Sequence, residues 1–255
     1  MTPDDPTPDA SPAPRIRILY LDLRTLAAEA LDRLGATLDP SERARCERFR
    51  FAEDRRAYFA AHGLLRYGLS QLFPRPPADW RFREGPQGKP ELVDPPPGAA
   101  LAFNLSHCRT MVAAAFGAGP GLDVGVDVEA QDRAAKLDIG VARRFFAADE
   151  AARIEAFDDA RASNAYFLRL WTLKEAVVKA TGRGLSQPLD SFSLDVEPPR
   201  FLPRPDADLA PPISCWRLAQ WPRQGHEIAA AAIFPVGEPT FHIEDAATGD
   251  LLFGS

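Results

Sequence analysis

Proline divides this chain before anything else does. A proline fixes φ at about −65° and carries no amide hydrogen, so it is kept out of helix interiors and central strands. The 25 prolines of the 255-residue sequence are clustered: five in the first fifteen residues, eight from Pro74 to Pro97 and eight from Pro188 to Pro222. Long elements must therefore come from the segments between clusters. The opening MTPDDPTPDASPAPR has neither a basic start nor an apolar stretch. Residues 1–15 are thus expected to be a disordered leader rather than a signal peptide, and the protein is expected to be cytoplasmic.

The length suits one large domain or two modest ones. No apolar run approaches the roughly 18 residues that cross a bilayer, so no membrane span is expected. A net charge of −6 gives no broad basic surface for nucleic acid, and any anionic ligand must be held by a local cluster. Cys46, Cys108 and Cys215 are odd in number, far apart and without a C-x-x-C pair, which predicts inert thiols rather than a disulfide framework or a zinc site.

Between the clusters the chain is patterned. Ser41 to Phe73 predicts one or two helices. A proline-rich loop carrying Gly88-Lys89-Pro90 follows. Leu101 to Asn104 and Met111 to Phe116 read as short strands, and the glycines from Gly117 to Gly121 predict a turn into Leu122 to Glu129, a hairpin ending on GVDVE. Residues 138–156 look helical, and a stronger helix from about Ser163 to Thr181 stops at Gly182. Phe192 to Val196, Ser214 to Leu218 and Glu227 to Phe234 predict a further small sheet. The expected fold is α+β: two similar lobes, 16–122 and 123–255, each a small mainly antiparallel sheet packed with a long helix, meeting near residues 120–130 around a cleft.

Several residues could carry chemistry. On a strand, Asp127 and Glu129 point the same way while Val126 and Val128 point to the core. Two carboxylates facing one spot suit Mg²⁺ with phosphate oxygens, or else form a solvated strand face. A second D-x-E, at Asp195 and Glu197, runs into Pro198-Pro199 and reads as surface. On the strong helix, Trp171, Lys174, Glu175, Val178 and Lys179 fall on one side, opposite an apolar stripe of Leu170, Leu173, Val177 and Ala180. That side is either an exposed face with a Glu175 to Lys179 ion pair or a functional one, and the tryptophan among its charges needs a partner. Ser106 and His107 are strand neighbours that point oppositely, and no G-x-S-x-G elbow is present, so they read as independent contacts rather than a nucleophilic pair.

Taken in order, NLSHC (104–108), GVDVE (125–129), RRFFAADE (143–150) and WTLKEAVVKATGRGL (171–185) resemble the 4′-phosphopantetheinyl transferases, specifically the monomeric two-lobed type that activates nonribosomal peptide and polyketide synthases. The likeness spans roughly residues 40–235. It implies Mg²⁺-dependent transfer of the phosphopantetheine arm of coenzyme A to a serine of an apo acyl, peptidyl or aryl carrier protein, releasing adenosine 3′,5′-bisphosphate. By resemblance, Asp127, Glu129 and Glu175 hold the metal, with Asp127 also meeting the co-substrate. By the same resemblance Glu175 is the general base for the carrier serine, either directly or through a metal-bound water, with Lys174 catalytic beside it, and Lys174 and Lys179 clamp the pyrophosphate. His107 sits at the 3′-phosphate with Ser106 beside it and Lys89 nearby. Arg45 matches one basic nucleotide contact, whereas the later basic position falls near Ala57, with Arg55 and Arg56 displaced from it. Cys108 stands where the family has serine or threonine, and RRFFAADE corresponds to the carrier-docking segment. Two other readings compete: a non-catalytic module that binds coenzyme A or a carrier protein, and a metal-dependent nuclease built on Asp127, Glu129 and Lys174.

Overall fold

A computed structural model describes residues 15–85, 88–136, 138–235 and 237–247. The expected leader lies outside the described residues except for Arg15, which opens a strand. In chain order the elements are β1 (Arg15–Asp22), α1 (Ala28–Ala36), α2 (Pro40–Glu47), α3 (Ala52–Leu72), β2 (Phe82–Glu84), β3 (Pro90–Leu92), β4 (Leu101–His107), β5 (Met111–Ala118) and β6 (Asp123–Ala130). There follow α4 (Ile139–Phe145), α5 (Ala148–Glu155), α6 (Ala160–Thr181), β7 (Ser193–Val196), β8 (Pro199–Leu202), β9 (Trp216–Arg223), β10 (His226–Ile233) and β11 (Thr240–Asp245).

Two small sheets lie face to face between helices. The first has the order β11-β1-β5-β4 and the second β6-β10-β9. Every pairing in them is antiparallel except β1 with β11. Strand alternation explains the layering. In β1, Leu19 and Leu21 pack on α1 and α3 with Leu34, Leu64 and Phe116. Ile16, Ile18 and Tyr20 point the other way, into a layer shared with Val124, Val126 and Val128 of β6 and Ile228 of β10. On the far side of the second sheet, Ala229 and Ala231 pack on Phe167, Leu170, Leu173 and Val177 of α6. The alanines of β5 and β10 keep both central strands slim enough to be covered on two faces.

The α+β class and the paired lobes are as expected, with three corrections. The hairpin is β4–β5, and β6 leaves it to pair with β10. Val124, Val126 and Val128 need an apolar layer to face, which the first sheet supplies once β6 lies in the second, with α6 against the other face of β6. The tail does not stay with the second lobe, because β11 returns to the first sheet beside β1. Finally, β7 forms its own ribbon with β8 instead of joining β9 and β10.

Helix α6 positions the site. Asp159 caps its start, accepting from the Ala162 amide at 3.0 Å, and Gly182 ends it in the left-handed region at φ 67°, where a side chain would be strained. A Cβ on Gly125 would lie 2.0 Å from the Ala176 carbonyl oxygen. Only glycine there lets α6 lie directly on β6. The three cysteines are free, and among the described residues no helix is long and apolar enough to cross a membrane. Asp195 pairs with Arg200 at 3.0 Å and Glu197 with Arg169, a surface arrangement.

Candidate active-site cleft

Asp127 and Glu129 lie on the α6 side of β6, and Asp127 is the meeting point of three elements. Its Oδ1 accepts from Lys179 Nζ of α6 at 2.7 Å and from Ser106 Oγ of β4 at 2.8 Å. Lys179 also donates to Ser106 Oγ at 2.9 Å. Two residues earlier on β4, Asn104 Oδ1 accepts from the Val126 amide at 3.0 Å. Side chains of the first sheet are thus fastened to the strand that carries the carboxylates.

The carboxylates share one field. Burial raises the Glu175 carboxyl above its usual range, and the negative charges of Asp127 and Glu129 add to the shift against the opposing pull of Lys179. Glu129 is raised in the same way, by burial first and by Asp127 after it, although its Oε1 is held by Arg133. Asp127 Oδ2 is buried with no hydrogen-bond partner among the described residues. A buried acceptor beside two destabilised carboxylates is the kind of atom a cation satisfies. The donor set, all oxygen, fits Mg²⁺. Among the described residues no three His, Cys, Asp or Glu side chains are gathered into a metal cluster; Arg133 and Lys179 neutralise Glu129 and Asp127 instead.

Of these groups Glu175 and Lys179 open onto a cleft of about 1530 Å³ that Arg45, Lys89 and His107 also line, while Asp127, Glu129 and Ser106 lie behind its wall. The Ser106 and His107 side chains do part, Ser106 buried against Asp127 and His107 exposed at the cleft. Desolvation by the surrounding walls, then the charges of His62 and Lys179, hold the His107 imidazole below its usual value. Burial likewise lowers the Lys89 ammonium, against the pull of Asp123. Arg45 pairs with Glu84 at 3.2 Å, and both are exposed.

Lys174 requires correction. It is not on the cleft wall: its side chain is 0% exposed and pairs at 2.8 Å with Glu150, also 0% exposed. The ammonium donates to the Leu189 and Phe192 carbonyls at 2.6 and 2.8 Å and lies 4.1 Å from the Phe192 ring centroid. Burial depresses its pKa to about 8. Such a group has no atom free for a pyrophosphate, so it is neither a clamp nor a catalytic residue. On the charged side of α6, Lys174 is covered by α5 and the segment leading into β7, while Glu175 and Lys179 line the cleft. The partner that Trp171 needs is there as well: Phe146 stacks on it at 6.1 Å, and Arg133 lies 5.8 Å over its ring.

RRFFAADE divides between surface and core. Phe145 is exposed at the cleft edge, whereas Phe146, Ala147 and Glu150 are buried. At the other wall, Ala57 is fully buried in the α3 core, and Arg56 donates to the Leu26 carbonyl at 2.9 Å, so the later basic position is empty. What lines that wall instead includes Glu42, Arg48, Tyr58 and His62, none of which the sequence singled out. The available signal was the spacing of Tyr58, His62 and Arg66, one helical turn apart on a single stripe of α3.

Two family models match this chain over separate stretches. A family model described as "4'-phosphopantetheinyl transferase superfamily" matches residues 123–231, and one described as "4'-phosphopantetheinyl transferase, N-terminal" matches residues 27–117. The gap between them is the glycine segment that carries the chain from the first sheet to the second. Among relatives, the 4′-phosphopantetheinyl transferase ffp of Bacillus subtilis is 35% identical over 176 residues, covering 69% of this chain and 74% of that protein. The 4′-phosphopantetheinyl transferase Sfp of Bacillus subtilis is 34% identical over the same shares. The 4′-phosphopantetheinyl transferase HetI of a Nostoc species is 31% identical over 214 residues, covering 83% of this chain and 85% of that protein.

Proposed function

This chain belongs to the 4′-phosphopantetheinyl transferases, and from that membership we propose that it moves the phosphopantetheine arm of coenzyme A onto a serine of apo acyl, peptidyl or aryl carrier proteins. The products are holo carrier protein and adenosine 3′,5′-bisphosphate, and the reaction serves fatty-acid, polyketide or nonribosomal-peptide synthesis. The observation that carries this reading is the convergence of Asp127, Ser106 and Lys179 beside Glu175, with Lys179 and Glu175 lining the cleft.

Asp127, Glu129 and Glu175 would hold Mg²⁺, which would offset the charge of the diphosphate. Lys179, fixed by Asp127 and Ser106, is aligned to meet diphosphate oxygens. Glu175 has no hydrogen-bond partner among the described residues and lines the cleft, which leaves a carboxylate oxygen open to a substrate hydroxyl, as a general base requires. It takes the serine hydroxyl proton as the serine oxygen bonds to the phosphorus bearing the pantetheine arm. The P–O bond to the bridging oxygen breaks, and its electron pair leaves with adenosine 3′,5′-bisphosphate. His107, Lys89 and Arg45 contribute the remaining positive lining. The protein would act as a cytoplasmic monomer, which sedimentation and cell fractionation test. A nuclease would need a broad basic groove for a polynucleotide, and a net charge of −6 argues against one.

The test is intact-mass spectrometry of apo acyl, peptidyl and aryl carriers incubated with the protein, coenzyme A and Mg²⁺. At least one should gain the mass of a phosphopantetheine arm, and chelating the metal should stop the gain. No gain with any carrier overturns the proposal.

A further inference from the structure

Two cations meet the carboxylates at the head of the cleft, and they are held differently. Lys179 is fixed by two side chains, donating to Asp127 Oδ1 at 2.7 Å and to Ser106 Oγ at 2.9 Å. Arg133 is tied by one. It belongs to the short helix Gln131–Lys136 that follows β6, and its guanidinium reaches back one turn to Glu129 Oε1. Its side chain is 44% exposed, against 28% for Lys179. Its other partner is the face of Trp171, 5.8 Å away at the ring centroid. An indole face attracts a guanidinium without fixing it, so the ring can keep the side chain when the carboxylate releases it. The root of the segment is anchored separately. The Gln131 amide donates to the Gly225 carbonyl at 2.9 Å, and its side chain donates to Glu227 Oε1 at 2.8 Å. Arg133 can therefore leave Glu129 by turning its own side chain while β6 and its carboxylates stay in place. Burial raises the carboxyls of Glu129 and Glu175, and the charge of Arg133 opposes the rise in both. Asp127 Oδ2, in contrast, is buried and unpartnered among the described residues. One side of the cluster is thus closed by a movable cation, and the other keeps an open acceptor.

We infer that Arg133 is a built-in counter-ion of the acidic cluster: it engages Glu129 in the metal-free protein and gives it up to a divalent cation, so that it sets how tightly the metal is held. The inference rests on the metal site of the transferase reading. Arg133 is neither a ligand nor a catalytic residue; it acts through Glu129. Without metal, its charge relieves part of the repulsion among three neighbouring carboxylates. With metal, two cations compete for one carboxylate and repel each other. Lys179 cannot play this part, because its two bonds hold it where it is. The metal is therefore bound less tightly than the three carboxylates alone would bind it.

Titration of the full chain with Mn²⁺ alone, without nucleotide or carrier and followed by electron paramagnetic resonance, tests this. Mn²⁺ takes the same carboxylate and water ligands as Mg²⁺. Arg133→Met, which keeps an apolar stem for Trp171, should bind Mn²⁺ roughly three- to tenfold more tightly than wild type. Lys136→Met removes the same charge from the same short helix, where Lys136 makes no ion pair among the described residues, and should stay within about twofold of wild type. Melting should follow the same order, with Mn²⁺ raising the melting temperature of Arg133→Met more than that of wild type. An equal gain in Lys136→Met traces the effect to overall charge and overturns the inference. Wild type that binds Mn²⁺, with Arg133→Met binding it equally or more weakly, sinks this inference alone. No Mn²⁺ bound by wild type or by either variant sinks the metal assignment with it.

Discussion

Helix α6 carries two lysine–carboxylate pairs of nearly the same length, and they do opposite jobs. Lys174–Glu150, at 2.8 Å, has both side chains at 0% exposure. Lys179–Asp127, at 2.7 Å, leaves Lys179 at 28%. In the first pair every hydrogen-bonding direction is spent inside the protein: Glu150 accepts the Leu194 and Ala147 amides at 2.8 and 3.1 Å, and Lys174 donates to two carbonyls. In the second pair Asp127 keeps Oδ2 unpartnered and Lys179 faces the cleft. A closed pair fastens α6 to α5 and β7; an open one is available to a ligand. Charge, distance and helix are shared, so closure of the surrounding shell is what separates scaffold from site.

The largest effect should come from breaking the closed pair. Lys174→Ala leaves Glu150 charged and alone in the core and should lower the unfolding free energy in urea by about 3–5 kcal/mol. Lys174→Met combined with Glu150→Gln removes both charges, although the amide oxygen can accept from only one of the Leu194 and Ala147 N–H groups, and should recover part of that loss. Breaking the open pair should do the reverse. Lys179→Ala should leave stability within about 1 kcal/mol of wild type and slow arm transfer roughly 100-fold or more in single-turnover assays.

Gly125→Ala strikes both pairs at once. The added Cβ meets the Ala176 carbonyl oxygen and pushes α6 off β6. It should cost about 1–3 kcal/mol of stability and also reduce transfer, a combination that neither lysine variant shows. The smallest effect belongs to Arg45→Ala. Its pair with Glu84 is exposed on both sides, so thermal melting should register about 0–1 kcal/mol, and any change in coenzyme A binding then reports nucleotide contact rather than folding.

The sequence marked both members of the open pair but not their pairing, since it offered Lys179 to Glu175 where the structure joins it to Asp127, and it hid the closed pair. Strand alternation through GVDVE placed Asp127 and Glu129 on one side, and Gly182 marked the end of α6 to the residue. Those are local signals. Lys174 looked like Lys179 because both fall on one broad side of the same helix, about 140° apart, and its partner Glu150 comes from another helix with no local mark of pairing. The return of β11 to β1 and the departure of β6 from the β4–β5 hairpin are likewise set by which apolar faces must be covered, not by the turns. Arg133 escaped notice because it lies beyond the strand, and only the short helix after β6 brings it back to Glu129.

The most direct test is a single-turnover comparison of arm transfer to one apo carrier protein by Lys179→Ala and by the folded Lys174→Met/Glu150→Gln double variant. The account predicts transfer close to wild type in the double variant and its near loss in Lys179→Ala. Loss in a stably folded double variant, with Lys179→Ala fully active, would contradict it.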